Sequence, residues 1–407
     1  MYNNDMNNPI QNKRILLGVT GSIACYKAAD LASKLTQSGA EVDVILTEAA
    51  TRFVSPLTFQ SVTGRHAYTN ADLWGSQGHV QHIGLGKAAD LLVIAPITAN
   101  TMAELAHGRA DNLLTVTALA ALCPLLIAPA MDGGMFNHPA TQANLETLKE
   151  RGAVVVGPES GHLASGMKAL GRMSEPAAIV GHIRRLLGSG GPLKGRKLIV
   201  SAGATQEPLD PVRYLTNRSS GKQGYALAQA AVDQGAEVIL VSGATALDAP
   251  VGADLVAVRT AEEMLAAVLE HLPGTDALIM AAAVADFRPD EISEHKIKKR
   301  KDDLNLSLTR TPDILQAVSQ HKHRPGILVG FAAESQDLLA NAEKKLKSKG
   351  LDLIAANDIG ASDAGFAVDT NRVTLLFADG RKQELPLGSK AEIAVEVIEK
   401  VVEFLVK

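Results

Sequence analysis

Arg14-Ile15-Leu16-Leu17-Gly18-Val19-Thr20 is an apolar run of strand length that stops at Gly21-Ser22, and an Ala/Leu/Lys helical pattern follows at once. The same grammar restarts in the second half of the chain. Lys197-Leu198-Ile199-Val200-Ser201-Ala202 is followed by a glycine turn, and a helix pattern runs from about Gly221 to Gln234. Outward from the first run, strands are expected at Glu41–Leu46, Leu91–Ala95, Leu125–Ala128 and Ala153–Val156, with a helix near Glu175–Leu187. Outward from the second, they are expected at Glu237–Val241, Ala277–Ala282, Ile327–Gly330 and Leu353–Ala356. Arg372–Phe377 and Lys382–Leu385 flank an Asp379-Gly380 turn and read as a hairpin, and a closing helix is expected from about Lys390 to Leu405. Buried strands alternating with helices predict an α/β fold made of two doubly wound, mostly parallel sheets. The residues after the two opening turns differ, so the halves are not an internal repeat.

The 407 residues suit two domains, and a 46% hydrophobic fraction fills two cores. Aromatics are only 3%, so those cores are aliphatic, as in parallel sheets. Gly188-Ser189-Gly190-Gly191-Pro192 has the small, flexible composition of a linker. The expected organisation is a polar, Asn-rich, disordered tail at 1–12, a first domain at 13–187, a linker at 188–195 and a second domain at 196–407. Leu113 to Met131 carries no charge and has membrane-spanning length, but Pro124 and Pro129 divide it into a helix followed by a core strand. A net charge of −4 supplies no attraction to nucleic acid or anionic membrane. The two cysteines, Cys25 and Cys123, form no metal or disulfide framework and fit a reducing cytoplasm.

Gly18-Val19-Thr20-Gly21-Ser22 offers free amides and a hydroxyl at a helix start, which suits a phosphate or, equally, a capped turn. The Gly-x-Gly-x-x-Gly spacing of a dinucleotide site is absent, which disfavours a nicotinamide dehydrogenase. Two further strand ends carry small polar clusters, Ala95-Pro96-Ile97-Thr98-Ala99-Asn100-Thr101 and Pro129-Ala130-Met131-Asp132. With Gln81-His82-Ile83-Gly84-Leu85 between Gly18–Ser22 and the first of these clusters, residues 14–185 resemble the homo-oligomeric flavin-containing cysteine decarboxylases. The resemblance implies a Rossmann-like or flavodoxin-like domain with FMN held by Gly21, Ser22, Thr47, Thr98, Asn100 and Met131, and His82 as the active-site histidine. It also implies why a flavin is needed: oxidising the cysteine thiol to a thioaldehyde supplies a C=S bond that accepts the electrons left by CO2.

Two positions depart from that family's pattern. Asp132 stands where an asparagine grips the substrate carboxylate; an ionised aspartate repels it, so Asp132 must be protonated or play another part. In Leu163-Ala164-Ser165-Gly166, Ser165 replaces the flap cysteine, a much stronger acid. A slow or inactive flavin half joined to an active second domain therefore stands as the alternative reading, and a non-catalytic flavin-binding regulatory module as a more distant one.

In the second half, Ser219-Ser220-Gly221-Lys222 invites comparison with a phosphate loop, but Thr216 occupies the position where the Walker spacing needs glycine. Glu207-Pro208-Leu209-Asp210-Pro211-Val212-Arg213 and Asn217-Arg218-Ser219-Ser220-Gly221-Lys222 resemble the hallmark of the phosphopantothenate–cysteine ligases. The likeness continues through Ala281–Phe287, Lys296–Lys299, Pro312–Leu315, Gly330–Glu334 and Ala355–Asp358. It implies that Asn217 binds an acyl intermediate and polarises its carbonyl. It places CTP among Met280, Ala281, Ala282, Asp286, Lys296, Pro312, Asp313, Ile314, Leu315, Phe331, Lys345 and Lys349. Lys296 opens a run of five Lys/Arg in six residues, without interleaved aromatics, better suited to a triphosphate than to nucleic acid. Together the two resemblances imply a bifunctional, homo-oligomeric enzyme of coenzyme A biosynthesis. Its ligase would join 4′-phosphopantothenate to cysteine through an acyl-cytidylate, with Mg2+ on the nucleotide and metal ligands that the sequence leaves unknown. Its decarboxylase would turn that product into 4′-phosphopantetheine.

Overall fold

The computed structural model describes residues 8–74, 81–164, 166–298, 305–334, 337–358 and 370–406. Two compact units meet in sequence between Leu187 and Gly188.

The strands of the first unit are β1 (Arg14–Val19), β2 (Glu41–Leu46), β3 (Ala67–Tyr68), β4 (Leu91–Ile97), β5 (Leu125–Pro129) and β6 (Val154–Val155). They form one parallel sheet in the order β3-β2-β1-β4-β5-β6, with Leu17 opposite Val44 on one side and Val93 on the other. Around it lie α1 (Cys25–Gln37), α2 (Glu48–Thr51), α3 (Pro56–Thr63), α4 (Gln81–Ala88), α5 (Ala99–Ala106), α6 (Leu113–Ala120), α7 (Gly133–Phe136), α8 (Pro139–Glu150) and α9 (Pro176–Gly188). Successive strand residues face opposite ways, and both faces are apolar because helices cover both. Ile15, Leu17 and Val19 pack with Leu31 and Leu35 of α1 and with Ile179 and Ile183 of α9. Leu16, Leu92 and Ile94 pack with Met102 of α5, Leu113 and Leu114 of α6 and Leu148 of α8. The uncharged stretch after Asn112 is indeed a helix and then a core strand, and no helix among the described residues is long and apolar enough to cross a membrane. A hairpin of β7 (Glu159–His162) and β8 (Lys168–Arg172) pairs separately from the sheet.

The second unit contains β9 (Lys197–Ala202), β10 (Gln206–Pro208), β11 (Tyr214–Thr216), β12 (Glu237–Ser242), β13 (Ala253–Ala257), β14 (Ala277–Met280), β15 (Phe287–Pro289) and β16 (Leu308–Arg310). Beyond these come β17 (Ile327–Glu334), β18 (Leu353–Asp358), β19 (Thr370–Asn371), β20 (Val373–Phe377), β21 (Lys382–Glu384) and β22 (Gly388–Ser389). Its main sheet runs β13-β12-β9-β14-β17-β18-β20-β21; the first six strands are parallel, and the β20–β21 hairpin adds an antiparallel edge. Helices α10 (Lys222–Asp233) and α14 (Lys390–Leu405) cover one face; α11 (Ala261–His271), α12 (Ile314–Ser319) and α13 (Leu338–Ser348) cover the other. In each unit the winding reverses between the first and fourth strands, β1|β4 and β9|β14, where the strand ends splay into a crevice.

Two stretches are more ordered than their composition predicts. The tail expected to be disordered to Asn12 is docked from Asn8 onward: Ile10 is fully buried, and Asn8 Nδ2 donates to Ser38 O at 2.8 Å. One isoleucine inserted in the core holds a polar segment that composition alone reads as loose. The glycine-rich linker is likewise packed. Leu193 is fully buried, its N–H reaches Gln234 O at 2.8 Å, and a Cβ on Gly191 would lie 2.4 Å from that same oxygen. Here glycine serves close packing rather than freedom.

Candidate active sites

In the first unit the β1 and β4 ends are stitched by Thr20, a buried residue whose Oγ1 donates to Pro96 O (2.8 Å) and accepts from Thr98 N (3.0 Å). That pairing opens a cavity of about 550 Å3 lined by Gly21, Thr47, Thr98 and Asn100, all expected there, together with Arg52, Asn70, Glu104 and Asn112. Thr47 and Thr98 cap α2 and α5, which fixes their hydroxyls at the strand ends. Asn100 Nδ2 donates to Glu104 Oε1 at 2.7 Å, so its carbonyl oxygen is left as an acceptor.

Ser22, Met131 and Asp132 line a separate, more apolar cavity of about 270 Å3 with Lys27, His162 and Arg172. Asp132 caps α7 through Gly134 N at 2.9 Å. The β7–β8 hairpin docks here, Met131 N donating to Gly171 O at 3.0 Å. Lys27, only 5% exposed, donates to Met173 O (2.9 Å) and Glu175 Oε1 (3.0 Å). The bond from Lys27 outweighs the effect of burial and, with the charges of Lys27 and Arg172, holds the Glu175 carboxyl below the usual range. His82 lies in the first turn of α4 and lines neither cavity; its Nδ1 is buried with no hydrogen-bond partner among the described residues. Ser165 lies outside the described residues. Thr20, Lys27 and Arg172 were given no role from sequence. Lys27 carried a signal, a cation on the apolar face of a predicted helix one turn after Ser22.

In the second unit Ser201, at the end of β9, accepts the amides of Ala281 and Ala282 at 3.1 Å each, and Thr205 Oγ1 accepts that of Ala285 at 3.0 Å. These two hydroxyls, fully buried and also missed from sequence, shape the loop after β14. Two cavities flank that loop. One, about 650 Å3, gathers Met280, Ala282, Asp286, Pro312, Asp313, Ile314, Leu315, Phe331, Lys345 and Lys349. The other, about 620 Å3, gathers Asn217, Ser219, Gly221, Lys222, Ala281 and Lys390, and shares Ala282, Asp286, Phe331 and Lys345 with the first.

In the first of these, Asp313 caps α12 through Gln316 N (2.9 Å) and pairs with Lys349. Burial pushes the Asp313 carboxyl up, but the Lys349 bond and charge and the Gln316 amide outweigh it and leave it below the ordinary range. In the second, Gly221 takes the left-handed conformation (φ +77°) that turns the chain into α10, and no side chain caps that helix. Its first amides suit an anion. Asn217 Nδ2 donates to Val284 O at 2.9 Å, which leaves its second N–H for a ligand. Asn357 and Asn371, 8% and 3% exposed, each keep a buried Oδ1 with no partner among the described residues. The Asn371 orientation is set by a relay: its Nδ2 donates to Gln223 Oε1 (2.9 Å), and Gln223 Nε2 donates to Lys390 O (3.1 Å).

Lys296 lines neither cavity. It is exposed on a loop whose next residue, Ile297, is bonded to Asp210 and Arg213, and Lys299–Lys301 of the basic run lie outside the described residues. The described residues hold no cluster of three or more His, Cys, Asp or Glu that could bind a metal.

Comparison with known proteins accounts for both units. Residues 3–188 match the Flavoprotein family model, and residues 193–405 match the DNA/pantothenate metabolism flavoprotein C-terminal domain. The coenzyme A biosynthesis bifunctional protein CoaBC of Bacillus subtilis is 46% identical over 395 residues, 96% of this chain and 97% of that protein. Its Mycobacterium tuberculosis H37Rv counterpart is 44% identical over 408 residues, 97% of each. A solved C-terminal domain of a CoaBC protein, 41% identical, covers 53% of this chain and 98% of that domain with a TM-score of 0.46. With both family models met in order and near-complete coverage of its relatives, the chain belongs to the CoaBC family of bifunctional coenzyme A biosynthesis proteins.

Proposed function

We propose that the second unit condenses 4′-phosphopantothenate with cysteine at the expense of CTP, and that the first unit, with FMN, decarboxylates the product to 4′-phosphopantetheine. The observation that carries the ligase reading is the shared wall: a cavity with Lys345 and Lys349 and a cavity with an uncapped helix start meet at Ala282, Asp286 and Phe331. A triphosphate in the first and a phosphorylated acid in the second bring carboxylate and α-phosphate together across that wall. The α10 amides and Lys222 receive the 4′-phosphate. The orphaned oxygens of Asn357 and Asn371 each forfeit about 1–3 kcal/mol until a donor arrives, and the pantothenoyl amide and hydroxyl supply two. The free N–H of Asn217 polarises the acyl carbonyl for attack by the cysteine amine. Mg2+ bound with the nucleotide would supply positive charge against the pyrophosphate leaving group, beside Lys345 and Lys349 of the cavity.

In the first unit the hydroxyls of Thr47 and Thr98 and the carbonyl of Asn100 form a donor and acceptor set that fits a flavin's polar edge and ribityl chain. The buried Nδ1 of His82, without a partner among the described residues, supports its reading as the active-site histidine. FMN supplies the two-electron oxidation of the substrate thiol and its reversal. Around it, Lys27 and Arg172 bring positive charge to the cavity that holds Asp132. Assembly of several copies around the flavin site is supported by large apolar side chains left exposed on this unit, Trp74 at 88% and Leu122 at 87% among them. Two free cysteines support a cytoplasmic setting.

The ligase reading is tested by mixing the full chain with 4′-phosphopantothenate, CTP and Mg2+ in the absence of cysteine. About one equivalent of pyrophosphate per chain is expected in a burst, and less with ATP; no burst with either nucleotide overturns it.

A further inference from the structure

Lys390 is the first residue of the closing helix α14, an unusual place for a lysine. It is only 7% exposed, whereas the strongly hydrated ammonium of a lysine normally reaches solvent. It stands in the first turn of a helix, where unsatisfied N–H groups already carry partial positive charge and a further cation is disfavoured. It also lines the cavity of about 620 Å3 together with Arg218, Lys222 and Lys345, against a single carboxylate among the described residues, Asp286. Burial and the helix dipole both disfavour a cation at this position, and an anion entering the cavity offsets both.

The backbone that carries this lysine is held in place. Gln223, in the first turn of α10, donates from Nε2 to Lys390 O at 3.1 Å, and its Oε1 accepts from Asn371 Nδ2 at 2.9 Å. Asn371 lies on β19, which pairs with β22, Gly388–Ser389, immediately before Lys390. The starts of α10 and α14 and the β19–β22 pair therefore form one hydrogen-bonded unit around the cavity. The buried Oδ1 atoms of Asn357 and Asn371, without a partner among the described residues, belong to the same lining. A frame fixed before the ligand arrives loses less entropy on binding than one the ligand must assemble.

We propose that Lys390 is a phosphate-binding residue of this cavity: its ammonium and the uncapped amides of α10 take the same phosphate group. The inference rests on the ligase reading for the identity of the ligands. On that reading the group is the 4′-phosphate of the acid. The triphosphate of the nucleotide has the same chemistry, and the two sources differ in which ligand loses affinity when the lysine is changed.

The test measures equilibrium binding to the full chain by titration calorimetry, with 4′-phosphopantothenate and, separately, CTP with Mg2+ as probes. Lys390→Gln removes the charge and Lys390→Arg keeps it. For K390Q the Kd of 4′-phosphopantothenate is expected to rise about tenfold or more, with that of CTP within about threefold of the parent. K390R is expected to bind both ligands within about threefold of the parent. The reverse pattern, CTP weakened and the acid unaffected, supports the phosphate contact and assigns it to the nucleotide. Equal losses for both ligands, as a merely structural role would give, overturn the proposal. So does a K390Q chain that binds both like the parent, or a loss that K390R fails to restore. Should K390Q fail to fold, Lys390→Met, which keeps an apolar stem in place, is judged by the same titrations. A parent that binds both ligands but releases no pyrophosphate overturns the ligase reading alone, and the titrations still decide this inference. A parent that binds neither ligand overturns both.

Discussion

At the scale of single residues, Asp132 stands where the flavin-containing cysteine decarboxylases carry an asparagine. Its carboxylate serves a local purpose, capping α7 through Gly134 N, in a cavity that also holds Lys27 and Arg172. Asp132→Asn retains an acceptor for the cap and removes the charge. If that charge faces the substrate carboxylate, the KM for 4′-phosphopantothenoylcysteine falls at least threefold at neutral pH, measured by CO2 release, with the melting temperature unchanged. An unchanged KM would mean that the carboxylate is fully occupied by the helix end. The buried Oδ1 atoms of Asn357 and Asn371 make a complementary point: among the described residues neither has a donor, which suits them to accept from a bound ligand.

At the scale of elements, the sites depend on how closely helices approach strand ends. Gly224, in the first turn of α10, lies so near β9 that a Cβ would fall 2.5 Å from Ala202 Cβ and 2.8 Å from Ser201 O. Gly224→Ala must push the helix start away from the sheet, at a cost of about 1–3 kcal/mol in chemical denaturation. Because the same turn lines the cavity proposed for the phosphorylated acid, affinity for 4′-phosphopantothenate is expected to fall alongside stability. The Asp313 cap on α12 adds a pH dependence. Its folded pKa is depressed, so its stabilisation is present above the unfolded value of about 3.9 and is lost as pH falls through the lower folded value. Asp313→Asn is therefore expected to narrow its stability gap from the parent as pH drops below about 4, followed by denaturant midpoint; a gap constant with pH would contradict this.

The same scale shows what the sequence made legible. Expected strands such as Glu41–Leu46 and the closing helix Lys390–Leu405 appear with those bounds because long periodic patterns dominate local choices. Two-residue β3 and the largely exposed edge strand β13 carry too few buried side chains to leave a pattern. The docking of Ile10 was illegible for another reason, since one anchoring contact made far along the chain has no local signature.

At the scale of the whole molecule, two sheets of the same winding put their crevices at equivalent places, β1|β4 and β9|β14; the Gly18–Ser22, Ala95–Thr101 and Ala281–Phe287 motifs fall at strand ends there, whereas His82 and the Glu207–Arg213 motif do not. Residues of the cavity of about 650 Å3 were readable where they form contiguous motifs, as in the loop after β14 and at the start of α12. Ser201, Thr205 and Thr20 were not, because each works by holding a neighbouring turn in shape. Lys296 remains the exception, exposed on a loop and lining neither cavity.

The account's central claim is that one chain carries both chemistries in sequence. The most direct measurement supplies the FMN-loaded full chain with 4′-phosphopantothenate, cysteine, CTP and Mg2+ and follows pyrophosphate and CO2 together. The prediction is pyrophosphate release followed by an equal amount of CO2, with neither product when CTP is omitted. Pyrophosphate without CO2 would contradict the account of the first unit, and CO2 that continues without CTP would contradict the account of the second.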